Sequence, residues 1–155
     1  MDLIAESVEN ANARIRFFRI AFGAAQPGQV IAPAEVTGTL HDLTQGGRFK
    51  VDWQASGTLQ RQHVKLAFLL LQCFESAMPR GGHVTVRLVG EEWAMTGEAE
   101  TLAINPDLWT MLAVPVAQPN LEASDVHFAL VPLAAEMAGR RLIVETSEQI
   151  ARVRF

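Results

Sequence analysis

The chain has 155 residues, with 49% hydrophobic and 19% charged side chains, enough apolar mass for one real core and too few residues for two full domains. Thirteen Lys and Arg against seventeen Asp and Glu leave a net charge of -4, the wrong sign for holding nucleic acid by phosphate neutralisation. A single cysteine excludes an internal disulfide, and four scattered histidines make no zinc spacing, so no metal is expected.

Residues 2–25 lack proline and carry apolar side chains at Ile4, Val8, Ala11, Ile15, Phe18 and Phe22, in steps of four and three. That spacing predicts a long helix with a heptad seam, which wants a partner helix along its length. Gly23, Pro27 and Gly28 break the periodicity, so residues 26–28 are expected to be a hinge. The expected organisation is therefore a helix over 1–25, the hinge, and a second domain over 29–155.

Beyond the hinge the pattern predicts mixed strands and helices, an α+β fold. Val30 and Ile31 read as a short strand, Pro33 opens a helix that Gly46-Gly47 stops, and residues 49–53 alternate as a strand with one wet face. Residues 60–78 are apolar round most of a helix, which predicts a buried central helix. Its longest apolar run, residues 66–71, is far shorter than the roughly 20 residues of a membrane span, and the expectation is a soluble, cytoplasmic protein. Residues 79–82 form a turn, followed by a strand over 83–88 and a hairpin into 93–98. A short helix is expected near 106–112, then a proline-spaced stretch over 114–120. Asp125 caps a helix ending at Gly139, although Pro132 sits inside it. Residues 142–145 and 151–155 close the chain as a strand pair.

Two stretches are similar to sensor histidine kinases. Residues 69–84, LLLQCFESAMPRGGHV, resemble the kinase helix that carries two asparagines and runs into a proline and glycines, with Leu69 and Cys73 at the asparagine positions. Residues 126–146 resemble the helix that follows the kinase's glycine-rich lid, with Val126, His127 and Phe128 in place of the glycines. Where the kinase has an Asp-x-Gly-x-Gly loop, this chain has TGEAETL. Together with ARIRFFRIAFGA at 13–24 and PRGG at 79–82, these features make the chain resemble the ChpT-type histidine phosphotransferases.

The resemblance implies a histidine-kinase-like (Bergerat-type) α/β sandwich with a degenerate nucleotide site, following one heptad helix. It further implies a homodimeric phosphorelay intermediate that shuttles phosphoryl groups between the receiver domains of response regulators and hybrid histidine kinases, with no cofactor of its own. The phosphoacceptor histidine belongs to a first bundle helix upstream of Met1, so the chain is expected to be a fragment or to start late. Leu3, Ser7, Asn10, Arg14 and Phe17 are candidate receiver contacts. The alternatives are an active ATP-binding kinase-like enzyme and a non-catalytic dimerisation and docking module.

His41-Asp42-Leu43 spells the opening of the phosphoacceptor motif but falls at the end of a short helix beyond the hinge, and is read as structural. His63, His83 and His127 have no carboxylate or cysteine at ligand spacing and are expected at the surface or as caps. Cys73 is expected in the core, and Glu91, Glu92, Glu98 and Glu100 as solvated charges. Arg14, Arg16 and Arg19 flank the seam, either as solubilising residues or facing a receiver's acidic pocket.

Overall fold

The central helix α3 (Arg61–Ser76) is the organising element, because Val64, Leu66, Ala67, Phe68, Leu69, Leu70, Leu71, Cys73 and Phe74 are all buried. Side chains buried round most of a helix need cover on most of its sides, and the sheet, the first helix and the last helix supply it. The structure is a computed structural model that describes residues 3–114 and 121–155. Around α3 the order is α1 (Leu3–Phe22), β1 (Val30–Ile31), α2 (Pro33–Thr44), β2 (Phe49–Trp53), β3 (Leu59–Gln60), α3, β4 (Gly82–Val89) and β5 (Glu92–Glu98). Next come α4 (Pro106–Ala113), a 3-10 turn (Ala123–Asp125), α5 (Val126–Met137), β6 (Ile143–Thr146) and β7 (Ile150–Arg154).

A five-stranded sheet in the order β2-β4-β5-β7-β6 forms one layer. β2 runs parallel to β4 through the α3 crossover, and the remaining pairs are antiparallel. Alternation places Val84, Val86, Trp93, Met95, Ala151 and Val153 on the face under α3, all at most 1% exposed. The other face carries His83, Arg87, Glu98 and Arg152, which are exposed. β1 and β3 form a separate antiparallel pair.

The elements follow the expected order closely. The first helix stops at Phe22 rather than at residue 25, and Gln60 belongs to β3, a two-residue strand too short to leave a periodic signal. α1 ends before Gly23, a position that only glycine fits because a Cβ there would collide with the Arg19 carbonyl, which accepts the Gly23 amide at 3.0 Å. α5 runs straight through Pro132, and nothing in the structure explains that residue. Of the proline-spaced stretch, residues 115–120 lie outside the described residues.

α1 does not stand clear of the rest of the chain. Phe17, Ile20 and Ala21 belong to the same buried cluster as α3, and the Phe17 ring stacks on Phe68 with centroids 4.7 Å apart and planes 11° from parallel.

Candidate functional site

Helix α1 has two apolar faces. Ala13, Phe17, Ile20 and Ala21 lie three and four residues apart, point into the domain and are at most 4% exposed. The heptad seam occupies a different arc of the same helix. Along it Val8 is 53% exposed, Ile15 51% and Phe22 42%; Ala11 is also exposed, Phe18 is partly buried and Ile4 is 74% exposed. Packing against the domain has therefore used one face and left the seam at the surface. The seam thus presents exposed apolar side chains along about five turns of α1.

The five candidate receiver contacts separate. Leu3, Ser7, Asn10 and Arg14 are exposed along one line of α1. Phe17, on the same line one turn further, is a correction, because it is 4% exposed beneath Phe68 and cannot reach a partner. The line continues into the core because α1 leans onto α3 at its C-terminal end and overhangs solvent at its N-terminal end.

Charge decorates both flanks of the helix. Arg16 donates to the Asp42 carboxylate on α2 at 2.6 Å, and Arg14 lies 4.0 Å from Glu75 on α3 with its guanidinium 6.0 Å from the Phe18 ring. Arg19 is exposed, with no carboxylate in ion-pair reach among the described residues. A cleft of about 690 Å³ opens on the α2 side, lined by Glu9, Asn12, Arg16, Asp42 and Gln45. Another of about 480 Å³ runs between Asn10, Arg14, Arg48, Glu75 and Gly81. No group of three or more His, Cys, Asp or Glu side chains among the described residues is arranged to hold a metal ion.

At the kinase-like positions the residues are core. Leu69 and Cys73 are 0% exposed, and burial pushes the Cys73 thiol well above its ordinary pKa. Phe74, Trp109 and Phe128 interlock edge to face, at 5.4 and 6.1 Å, where α3, α4 and α5 meet. Phe128 is 2% exposed and Val126 43%.

The histidines also divide. His41 is exposed in the last turn of α2, and His83 is exposed opposite Glu98 on the wet face of the sheet. His63 is half-buried with its ring 6.3 Å from Trp93. Burial and the Arg140 charge hold its pKa below the ordinary value, partly opposed by Glu91. His127 is a correction to the surface reading, because it is 6% exposed and its Nε2 lies 3.1 Å from Ser76 Oγ, joining α5 to the end of α3. Burial lowers its pKa, against the pull of Asp125. The second apolar face of α1, at 13, 17, 20 and 21, was legible in the spacing but hidden by the stronger seam. The His127–Ser76 contact joins residues 51 apart and has no local signal.

Comparison with known proteins matches these features. Residues 33–150 fit the family described as Histidine phosphotransferase C-terminal domain. Protein phosphotransferase ChpT of Brucella abortus (strain 2308) is 29% identical over 157 residues, spanning 97% of this chain and 75% of that protein. A bacterial phosphotransferase solved at 1.7 Å superposes with a TM-score of 0.79 at 26% identity, over 98% of this chain and 76% of that one. The histidine kinase domain of the E. coli osmosensor EnvZ shares the fold, with a TM-score of 0.51 at 14% identity over 85% of this chain and 89% of that one. With its kinase-like α+β sandwich and its core side chains at the nucleotide positions, the chain belongs to the ChpT-type histidine phosphotransferase family.

Proposed function

We propose that this protein works as a phosphorelay histidine phosphotransferase, passing phosphoryl groups between receiver domains of response regulators and hybrid histidine kinases without ATP. The observation that carries the ATP-independent part is the filling of the kinase-like positions, Leu69, Cys73 and Phe128, by buried core side chains. In this reading a neutral imidazole nitrogen attacks the phosphorus of an aspartyl phosphate in line. The N–P bond forms as the O–P bond breaks, and the aspartate leaves as a carboxylate. The reverse step loads the next receiver. Magnesium, where needed, comes with the receiver.

The seam residues Ile4, Val8, Ala11, Ile15, Phe18 and Phe22 would build the wall of a helical bundle, which also makes the homodimer. Leu3, Ser7, Asn10 and Arg14 would border the receiver. The acceptor histidine would lie on a partner helix of that bundle, because none of His41, His63, His83 and His127 is on α1. A cytoplasmic setting suits this chemistry, and no helix among the described residues is long and apolar enough to cross a membrane. The test is transfer of acid-labile radiolabel from a phosphorylated receiver to a version of the protein that carries the acceptor helix. Label on a histidine of that helix, with no nucleotide present, is the expected result.

A further inference from the structure

The segment that leaves α1 is bound by the first turns of α3 at almost every second carbonyl. Lys65 Nζ donates to the carbonyls of Ala21 and Gly23, both at 2.9 Å. Gln62 Nε2 donates to the Ala25 carbonyl at 3.2 Å, and the Arg61 amide donates to the Gln29 carbonyl at 2.8 Å. Val30 and Ile31 then pair with β3, the strand that leads into α3. Ala25, within this segment, is 6% exposed.

Lys65 stands apart in this set. Its half-buried ammonium has no carboxylate within ion-pair distance among the described residues, and its bonds go to the end of α1. The last carbonyls of a helix have no intrahelical donor and carry its negative dipole end, so a cation placed there satisfies both. Side-chain contacts hold the helix at two further points, Phe17 on Phe68 and Arg16 on Asp42. A free hinge would leave the carbonyls on both sides of it in water, whereas here those flanking residues 26–28, of Ala21, Gly23 and Ala25 before and Gln29 after, are taken by the domain that the hinge would have to release.

We infer that Lys65 is a positioning residue, which with Gln62 locks α1 and the α+β domain into one rigid body, so that residues 26–28 do not act as a hinge. The inference deepens the phosphotransfer reading and rests on it for its consequence: the α1 surface and the domain rim at Arg48 and Gly81 meet a receiver at one fixed angle. Group transfer between an aspartyl phosphate and an imidazole needs that preorganisation, since a misplacement of about 1 Å lowers the rate of such a step by ~100-fold.

Spin labels at Ser7 on α1 and Arg87 on the open sheet face, both exposed, measure the angle in the full chain without any receiver. The expected distance distribution is narrow in the otherwise wild-type chain, broad in Lys65→Met and narrow again in Lys65→Arg, which keeps the donors and the charge. Thermal unfolding confirms that Lys65→Met is folded; hydrogen exchange of the 21–29 backbone in the wild-type chain gives a second measure that needs no variant. A broad wild-type distribution, or free exchange over 21–29, overturns the lock whatever the protein's function. In the form carrying the acceptor helix, Lys65→Met should raise KM for the phosphorylated receiver about tenfold, the scale of two lost hydrogen bonds, with a smaller change in kcat. An unchanged KM beside a broadened distribution overturns the positioning role and leaves the phosphotransfer reading intact.

Discussion

The ring of Phe74 lies against Gly97 so closely that a Cβ on Gly97 would come within 2.5 Å of it. Gly97 is the glycine of TGEAETL, where a histidine kinase keeps an open loop under its nucleotide. Phe74 comes from α3 and fills the space above that strand, with Trp109 behind it at 5.4 Å.

From this packing, ATP with magnesium should give no binding heat in calorimetry. A nucleotide would have to displace Phe74, Leu69 and Cys73, all 0% exposed, and removing an aromatic ring from a packed core costs about 3–5 kcal/mol. Micromolar binding would sink the degenerate-site reading.

The two faces of α1 should respond differently to substitution. Ile15→Asp touches the exposed seam and should change stability by under about 0.5 kcal/mol while weakening self-association. Phe17→Ala removes the ring stacked on Phe68 and should cost about 3 kcal/mol or more. Sedimentation and urea unfolding of both variants check this. An Ile15→Asp chain that assembles as before would leave the seam without a role in dimerisation.

Stability should fall as the medium is acidified below about pH 6.5. Burial depresses the pKa of His127 in the folded state, and that of His63 in the same direction. Between the folded and unfolded values the unfolded chain binds more protons, so stability rises with pH across that window, is complete above it and is lost as pH drops through the folded value. Urea midpoints from pH 7.5 to 5 measure the slope, and His127→Phe should flatten it. A slope identical in that variant would assign the effect to other groups.

His41→Ala should leave phosphoryl transfer unchanged in a form of the protein bearing the acceptor helix. His41 is exposed in the last turn of α2, not on α1, and Asp42 beside it is engaged by Arg16. Radiolabel that disappears with His41→Ala would move the acceptor assignment to that residue.

The order of elements was written in local patterns. Heptad spacing set α1, alternation set β2, β4 and β5, and apolar side chains round most of the circumference marked α3 as central. Leu69 and Cys73 at the two positions where the resemblance implies asparagines, and Phe128 where it implies a lid glycine, could be read residue by residue, because the change is visible in the side chain itself. The sequence alone could not say which face of α1 the domain would take, since Phe17 and Phe18 are equally apolar and only the approach of Phe68 separates them. Nor could it show that Gly23, Pro27 and Gly28 break a helix without freeing the chain. Those residues set the backbone conformation locally, but Lys65 and Gln62, some forty positions away, take up the carbonyls that the break exposes. Hydrogen bonds between distant segments depend on where the fold brings them, and for that reason the lock on this linker belongs to the tertiary structure alone.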